Sequence, residues 1–362
     1  MDWRTYLSDR PADTYIYQQE PYEVQTQRAA RWLKEADAVL IGAGAGLSTA
    51  AGLNYGGQRF TENFGEFIER YGQEAMPDMY AAGFYPFPTE EERWGYWSRH
   101  ALVNRIEPEG LPLYRELHEL VKAKEHFVLT TNVDHQFWKA GFDDNRIFAT
   151  QGDYGLIQCQ KGCHNKTYDA TELFVRMDRE RKDCKIPSGL VPRCPVCGGP
   201  MTMNLRCDQY FVEDEHWEEA ATRYEAFLTG MEGKQLVLLE CGVGLFNTPV
   251  IIRFPFEHMM ASHPAWRLIR LNLDEAVDLV MFAFEHANPG DLFIQKSDAS
   301  TIGDLAKAVQ QLFGDTGTRV IGTRHGEKLY ETLMTKEERM RSEDMGNYYR
   351  VAADNRDLNY DK

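Results

Sequence analysis

The stretch IGAGAGLSTAAGLNYGG, residues Ile41–Gly57, decides the fold because it places a glycine-rich turn directly behind a short apolar run, Ala38–Gly42. A turn of this kind between a strand and a helix brings backbone N–H groups close to a bound pyrophosphate. The alternative is a tight turn that holds no ligand. An ordinary NAD dehydrogenase is not supported, since Glu62 and Glu66 come too early to bind the ribose and lie in a segment of helical character.

Outward from this turn, short apolar runs alternate with amphipathic stretches of helical length, which is typical of a parallel sheet covered on both faces. The predicted strands are Ala38–Gly42, His126–Thr131, Arg146–Thr150, Leu236–Cys241 and Trp266–Asn272. Pro249 is expected in the first turn of a helix, in addition to helices at Glu23–Ala36, Leu111–Ala123 and His216–Met231. The sequence therefore predicts an α/β fold with a doubly wound parallel sheet, whose ligands lie beyond the carboxyl ends of the strands.

Composition excludes several functional classes. The chain has 362 residues, 43% of them apolar, which is enough for two domains with a sizeable core. Its 40 basic and 56 acidic residues give a net charge of −16, which opposes non-specific binding to nucleic acid or anionic lipid. The first residues lack the features of a secretory signal, and charged or polar residues interrupt the longest apolar stretch. We therefore expect a cytoplasmic protein with no nucleic-acid or membrane partner.

A second motif, TTNVDHQFWKAG at Thr130–Gly141, also follows a predicted strand. Asn132 and Asp134 could present an amide and a carboxylate to one small ligand. A helix cap and turn would explain the same pair of residues without any ligand. His135 is expected to be structural or at the surface.

Four of the seven cysteines form two closely spaced pairs, C-x3-C and C-x2-C, separated by 30 residues. Thiolates in this pattern suit a tetrahedral structural zinc site with no open coordination position. His164 is an adjacent alternative ligand, and the other three cysteines, Cys184, Cys207 and Cys241, are expected to pack as small apolar residues. The sequence predicts a small zinc module over residues 159–207 with the ligands Cys159, Cys163, Cys194 and Cys197.

The order of these motifs, completed by GVGLFNTP at Gly242–Pro249, resembles the sirtuin family of NAD-consuming protein deacylases and ADP-ribosyltransferases over residues 20–272. The resemblance implies that NAD is cleaved at its nicotinamide–ribose bond and that an acceptor captures the sugar carbon. It further implies that Asn132 contacts the reacting ribose and Asp134 the nicotinamide amide. The remaining implied NAD contacts are Gly44, Ala45, Gly46, Ser48 and Thr49 at the pyrophosphate and ribose, and Gly242 and Gly244 at the adenosine half.

The chain departs from the deacylating sirtuins at several positions. Gln151-Gly152 replaces a His-Gly pair, and an amide cannot act as a general base near neutral pH. Asn54–Gly57 replaces a Pro-Asp-Phe-Arg segment, Thr131 replaces a glutamine, and CDQYFVED at Cys207–Asp214 replaces the acyl-peptide clamp. Deacylation is therefore expected to be weak or absent, and Gln151 is expected to orient NAD or the acceptor by hydrogen bonding.

These departures are similar to those of the macrodomain-linked microbial sirtuins. That resemblance implies protein mono-ADP-ribosylation, typically on a lipoylated carrier protein of the glycine-cleavage type, and reversal by a macrodomain hydrolase. The alternatives are an NAD-dependent protein deacylase and a catalytically inactive chimera that binds NAD or ADP-ribose.

From Leu273 the sequence resembles the C-terminal part of the UDP-N-acetylglucosamine 4,6-dehydratase family, in segments such as GTRHGEKLYETL. The resemblance implies a nucleotide-sugar-binding region containing Arg324 and Glu327, behind an amphipathic helix at Asp274–His286. The dinucleotide fold and Tyr-x-x-x-Lys pair of that family do not precede the tail, so we expect a fused fragment without chemistry of its own. The predicted domains are an NAD-binding domain (1–158 and 208–272), a zinc module (159–207) and a C-terminal α/β fragment (273–362).

Overall fold

The computed structural model describes most of the first three quarters of the chain and short parts of the tail: residues 22–244, 249–271, 292–295, 339, 342–345 and 348–351. The chain divides into two compact units, residues 1–272 and 273–362. None of the described helices is both long and apolar enough to cross a membrane.

The first unit is an α/β structure. Its strands are β1 Ala38–Ala43, β2 Glu125–Thr130, β3 Ile147–Ala149, β4 Gly152–Cys159, β5 Thr167–Asp169, β6 Met201–Leu205, β7 Leu236–Cys241 and β8 Arg267–Leu271. Its α-helices are α1 Tyr22–Glu35, α2 Ala45–Ala50, α3 Gly57–Tyr71, α4 Met79–Gly83, α5 Glu90–Ala101, α6 Pro112–Val121, α7 Gln136–Lys139, α8 Thr171–Glu180, α9 Glu215–Gly230 and α10 Arg253–Ser262.

Five strands form a parallel sheet in the order β3-β2-β1-β7-β8. Strand β1 lies at its centre, and all six of its residues are buried. One hydrophobic core packs on each face of the sheet, which explains why the central strands are nearly continuous apolar runs in the sequence. The predicted doubly wound parallel sheet is confirmed, and it places the carboxyl ends of β1, β2, β3 and β7 along one edge.

One predicted helix start is wrong. Pro249 lies in a turn, and α10 begins only at Arg253. The backbone at Ile252 has φ −123° and ψ −61°, which interrupts a helix, and the Phe254 N–H instead donates to the Pro249 carbonyl oxygen at 2.9 Å.

A second lobe combines the cysteine module with helices from an earlier part of the chain. Its antiparallel sheet has the order β5-β4-β6, and β4 begins at Gly152, directly after the parallel sheet. Helices α3, α5 and α8 pack against this sheet through a shared aromatic core that includes Phe60, Phe64, Phe67, Trp94, Tyr96 and Phe174. We call this assembly of α3, α4, α5, α8 and β4–β6 the cysteine lobe.

In the second unit, the strands β9 Leu292–Gln295, β10 Ser342–Asp344 and β11 Tyr348–Val351 form an antiparallel sheet in the order β10-β11-β9. The predicted helix Asp274–His286 and the residues Arg324 and Glu327 lie outside the described residues.

Candidate functional site

The candidate site lies where the loops after the central strands meet. The Thr131 N–H donates to the Ala43 carbonyl oxygen at 3.0 Å, and the Gly44 N–H donates to the Cys241 carbonyl oxygen at 3.0 Å. These bonds join the loops after β1, β2 and β7. The sheet reverses its strand order beside β1, and ligands of doubly wound folds bind at such a point.

The Asn132 side chain is the centre of a buried polar network at this edge. Its Nδ2 donates to the Gly44 carbonyl oxygen at 2.9 Å and lies 3.2 Å from Ser48 Oγ and 3.1 Å from the Tyr114 hydroxyl. Ser48 donates its hydroxyl to Asp134 Oδ2 at 2.5 Å, and its Oγ lies 2.7 Å from the Tyr114 hydroxyl. All four side chains are buried. The fold thus brings together three residues selected from the sequence and adds Tyr114.

This network determines which atom of Asn132 is available to a ligand. The Gly44 carbonyl only accepts hydrogen bonds, so the Asn132 amide nitrogen must be the atom that points to it. Among the described residues, the Asn132 Oδ1 makes no hydrogen bond. A ligand hydroxyl can therefore donate to this oxygen.

Asp134 is held by donors from two elements. Its Oδ2 accepts from Ser48, and its Oδ1 accepts from the Gln136 N–H at 3.0 Å, at the start of α7. Burial raises the pKa of Asp134, while these two hydrogen bonds act in the opposite direction. Asp134 therefore orients Ser48 and connects it to the loop after β2.

The glycine turn and the loop after β7 pack backbone against backbone. The Gly46 N–H donates to the Gly242 carbonyl oxygen at 2.9 Å, and a Cβ on Gly46 would lie 2.8 Å from that oxygen. Gly242 has φ +62°, which side chains disfavour. The amides of Gly44 and Gly46 are thus used within the protein. Among the described residues, the Ala45 N–H makes no hydrogen bond, so it is the donor left at the start of α2.

Two other predicted NAD contacts have less distinctive surroundings. The Thr49 hydroxyl is exposed and donates to the Ala45 carbonyl oxygen at 3.1 Å, one turn earlier in its own helix. Gly244 is half-buried and precedes residues 245–248, which lie outside the described residues.

Gln151 occupies the turn between β3 and β4. Gly152 has φ +96°, and a Cβ there would lie 1.8 Å from the Asn204 carbonyl oxygen, so only glycine fits. The Gln151 side chain is half-buried, and its Nε2 lies 3.4 Å from Thr150 Oγ1. Because β3 pairs with β2, Gln151 and Asn132 follow neighbouring strands of the sheet.

Several polar residues at this edge were missed by sequence reasoning. Asp153 Oδ2 lies 2.7 Å from His135 Nδ1, and its Oδ1 accepts from Arg105 Nε at 3.0 Å. The one sequence signal for Asp153 was its place two residues after Gln151, at a strand end. Tyr114 gave no signal, because it occupies an apolar position of an amphipathic helix.

The segment Asn54–Gly57, which departs from the sirtuin pattern, is held by hydrogen bonds to other parts of the protein. The Tyr55 hydroxyl lies 3.1 Å from the Tyr154 hydroxyl, and Arg59 donates to the Asn54 carbonyl oxygen at 2.8 Å. Burial raises the pKa of Tyr55 to about 12, and burial lowers the pKa of the adjacent His100 to about 3. This segment therefore presents neutral side chains where the deacylating sirtuins carry an aspartate and an arginine.

The four predicted zinc ligands come together in the cysteine lobe. The Sγ atoms of Cys159, Cys163, Cys194 and Cys197 all lie within 4.8 Å of one another, a spacing that fits four thiolates around one zinc ion. Burial opposes ionisation of Cys159, but the backbone N–H groups of Cys163 and Lys161 outweigh it and lower the pKa of Cys159 to about 6. Burial and the neighbouring thiols raise the pKa of Cys163, so the first thiolate of the cluster forms at Cys159.

The other cysteines and His164 behave differently. His164 Nδ1 lies 3.1 Å from Cys163 Sγ, and its Nε2 lies 2.8 Å from the Tyr168 hydroxyl, so this imidazole is beside the four-thiol cluster. Cys184 and Cys241 are buried as predicted. The prediction for Cys207 is wrong, since this residue is exposed in the loop after β6.

Comparison with known proteins agrees with two different origins for the two units. The polysaccharide biosynthesis protein family matches residues 261–353. A UDP-glucose 4-epimerase of Rickettsia felis is 52% identical over 107 residues, which cover 29% of this chain and 31% of that protein. The predicted resemblance of the tail to sugar-nucleotide enzymes is confirmed, although the chain spans less than a third of the epimerase.

The larger part of the chain matches other proteins. A solved structure described as "The Structural basis of Sirtuin Substrate Affinity" has 18% identity and a TM-score of 0.44, covering 72% of this chain and 96% of that one. A probable bifunctional ADP-ribose hydrolase/ADP-ribosyltransferase of Fusarium oxysporum is 32% identical over 257 residues, 68% of this chain and 42% of that protein. A protein ADP-ribosyltransferase of Staphylococcus aureus is 38% identical over 228 residues, 63% of this chain and 71% of that protein. The chain belongs to the family of protein ADP-ribosyltransferases.

Proposed function

We propose that this chain cleaves the nicotinamide–ribose bond of NAD and transfers ADP-ribose to a protein acceptor at the loop cluster around Asn132. The observation that carries the proposal is the buried network of Asn132, Ser48, Tyr114 and Asp134, which fixes one amide oxygen for a ligand hydroxyl. A network of this kind costs no reorganisation when the substrate reacts, because its dipoles are already oriented.

The assignment of residues to the substrate follows from the free atoms of the site. Asn132 Oδ1 would accept from a ribose hydroxyl, and the Ala45 N–H would donate to the pyrophosphate at the start of α2. Gly44, Gly46 and Gly242 would act mainly by letting the two loops touch. Asp134 would contact the nicotinamide amide through its remaining acceptor capacity, with Ser48 and Thr49 near the ribose and Gly244 near the adenosine.

Gln151 would orient NAD or the acceptor and not remove a proton. Its amide is neutral at every pH at which the protein is folded, so it cannot replace the imidazole of a deacylating sirtuin. We therefore favour transfer of ADP-ribose over deacylation of lysine. An inactive NAD- or ADP-ribose-binding chimera is the remaining alternative.

The proposed acceptor is a lipoylated carrier protein of the glycine-cleavage type, in the cytoplasm. The proposed functional partner is a macrodomain hydrolase that removes the ADP-ribose. The name of the Fusarium relative supports this pairing, because it joins an ADP-ribose hydrolase and an ADP-ribosyltransferase in one protein. The cysteine cluster would hold a structural zinc ion, and the tail would be a fused fragment without sugar-nucleotide chemistry of its own.

Isotope-labelled NAD tests this function. The full chain is incubated with NAD labelled in the adenylate, with and without the lipoylated carrier, and the proteins are separated. A transferase labels the carrier and releases nicotinamide. A sensor or an inactive chimera leaves the NAD intact, and a deacylase moves an acyl group from an acylated peptide to ADP-ribose without labelling the carrier; any of these results would contradict the proposal.

A further inference from the structure

The proposed transfer requires a group that accepts the proton lost by the acceptor. If the acceptor group carries a proton, as a hydroxyl or an amine does, that proton must leave when the new bond to the ribose carbon forms. Gln151 cannot take it. A base at the same edge of the sheet would complete the reaction.

His135 is built as such a base. Its Nδ1 lies 2.7 Å from the Asp153 carboxylate, so the carboxylate holds the proton of the neutral ring on Nδ1. The other ring nitrogen, Nε2, makes no hydrogen bond to any residue that the structure describes. A neutral imidazole in this tautomer has its lone pair on Nε2, ready to accept a proton.

The carboxylate partner is itself fixed. Asp153 Oδ1 accepts from Arg105 Nε at 3.0 Å and from the Gly155 N–H at 2.6 Å, and 12% of its side chain is exposed. Burial opposes the charged form of Asp153, but the hydrogen bond from His135 and the charge of Arg105 outweigh it and lower its pKa. An ionised, oriented carboxylate behind a histidine is the arrangement that activates nucleophiles in other enzymes.

His135 directly follows Asp134 of the candidate site in the chain. Its backbone has φ +64° and ψ +15°, a left-handed conformation that is uncommon outside glycine but that asparagine, aspartate and histidine adopt more often than other residues. Stacking on Trp138, with ring centroids 4.4 Å apart, supports this conformation. The Tyr154 N–H donates to the Val133 carbonyl oxygen at 2.9 Å, which ties the loop of His135 to the strand of Asp153.

We propose that His135, oriented by Asp153, is the general base that removes the proton of an acceptor hydroxyl or neutral amine. This inference rests on the proposed function. In the step, the acceptor loses its proton to His135 Nε2, and its electron pair forms the bond to the ribose carbon. The bond from that carbon to nicotinamide breaks, and its electron pair returns to the nicotinamide ring nitrogen. The imidazolium then releases its proton to solvent, to which 27% of the side chain is exposed.

The charges around the ring come from several elements. Asp153 on β4 is in hydrogen-bond contact with the ring and is itself bound by Arg105, Asp134 precedes His135 on the same loop, and Lys139 ends α7. The step predicts that the transfer rate rises with pH as the imidazolium loses its proton and then reaches a plateau.

His135→Asn is the sharpest test. Asparagine tolerates the left-handed backbone and can still donate to Asp153, but it cannot accept the proton. We expect the kcat of carrier labelling to fall by about 10²- to 10⁴-fold and its acidic limb to disappear, with unchanged stabilisation of the protein by NAD. In His135→Gly, which also suits the positive φ, added imidazole should restore part of the rate. His216→Asn, on the exposed start of α9, is the matched control and should retain the wild-type rate.

The outcomes separate the two proposals. Wild-type kcat and an unchanged pH profile in His135→Asn would overturn the assignment of the base while leaving transfer itself intact. Loss of NAD-induced stabilisation in that variant, with no rescue by imidazole in His135→Gly, would show a structural role and also overturn it. An unlabelled carrier with the wild-type chain would refute the proposed function, and the base with it.

Discussion

The edge of the parallel sheet and the cysteine lobe both gather polar side chains from distant parts of the chain, but they stabilise them differently. At the sheet edge, Asn132, Ser48 and Asp134 satisfy one another through hydrogen bonds inside the core. In the cysteine lobe, four thiols have Sγ atoms within 4.8 Å of one another, and backbone N–H groups near Cys159 and Cys194 favour their thiolate forms. The first site is thus pre-organised by hydrogen bonds between side chains, whereas the second has the spacing of four ligands for one zinc ion.

The largest effect is expected when a thiol is removed from the four-cysteine cluster. Cys194→Ser removes one of the four thiolates, and structural zinc contributes about 10–16 kcal/mol of apparent binding energy in small zinc domains. We expect loss of bound zinc and unfolding of the cysteine lobe, measured by metal analysis and limited proteolysis. Cys207→Ser, which lies outside the cluster, should keep both metal and fold. A wild-type chain that is folded without metal would contradict this prediction.

The next effect breaks the pre-organised network. Asn132→Ala removes the oxygen assigned to the ribose, and we expect carrier labelling to fall by at least about 10²-fold. The fold should persist, because the lost hydrogen bonds cost only about 1–3 kcal/mol. Labelling rates and thermal unfolding measure the two effects separately. Asn145→Ala, at an exposed position, serves as the control, and equal labelling by both variants would remove the role of Asn132.

A smaller effect isolates the orientation of Asp134. Ser48→Ala leaves the buried Asp134 Oδ2 without its donor, and we expect the free energy of unfolding to decrease by about 1–3 kcal/mol. Urea denaturation measures this change against Ser262→Ala, an exposed serine of α10. A stability change no larger than that of the control would show that the Ser48–Asp134 hydrogen bond contributes little.

The smallest effects concern the pH dependence of stability, which should differ between the two buried carboxylates Asp134 and Asp153. Burial raises the pKa of Asp134 above 3.8, so its contribution to stability is full at low pH and decreases as pH rises through the folded-state value. The pKa of Asp153 is lowered, so its contribution is present above 3.8 and is lost as pH falls through the folded-state value. Unfolding free energies of Asp134→Asn and Asp153→Asn, compared with wild type across pH, should therefore change in opposite directions, each by a total of about 1.4 kcal/mol per unit of pKa shift. Changes of the same sign would contradict the structure.

The sequence predicts the parallel sheet well because burial on both faces leaves a local signature. Strands such as β7, Leu236–Cys241, are uniformly apolar except for one buried charge, Glu240, which pairs with Arg270 at 2.7 Å. The four cysteines are equally local, since each pair is close in sequence. Pro249 was misplaced because its residue type fits a helix start, whereas the conformation of Ile252 decides where α10 begins.

The rest of the site depends on contacts that no local pattern encodes. Tyr114 reaches Ser48 across 66 residues of sequence, and Arg105 reaches Asp153 across 48. The predicted zinc module, residues 159–207, lacks part of the cysteine lobe for the same reason, since α5 joins the lobe only through tertiary packing. Helix α5 begins with a cap, in which the Glu92 N–H donates to Thr89 Oγ1. Such a cap indicates where a helix begins, but it does not indicate which part of the protein the helix packs against.

The most direct test of the central claim is the release of nicotinamide from NAD by the full chain, with and without a lipoylated carrier protein. We expect release that depends on the carrier and matches the ADP-ribose attached to it, one for one. No release, together with no stabilisation of the protein by NAD, would contradict the claim that the loops around Asn132 form a working NAD-cleaving site.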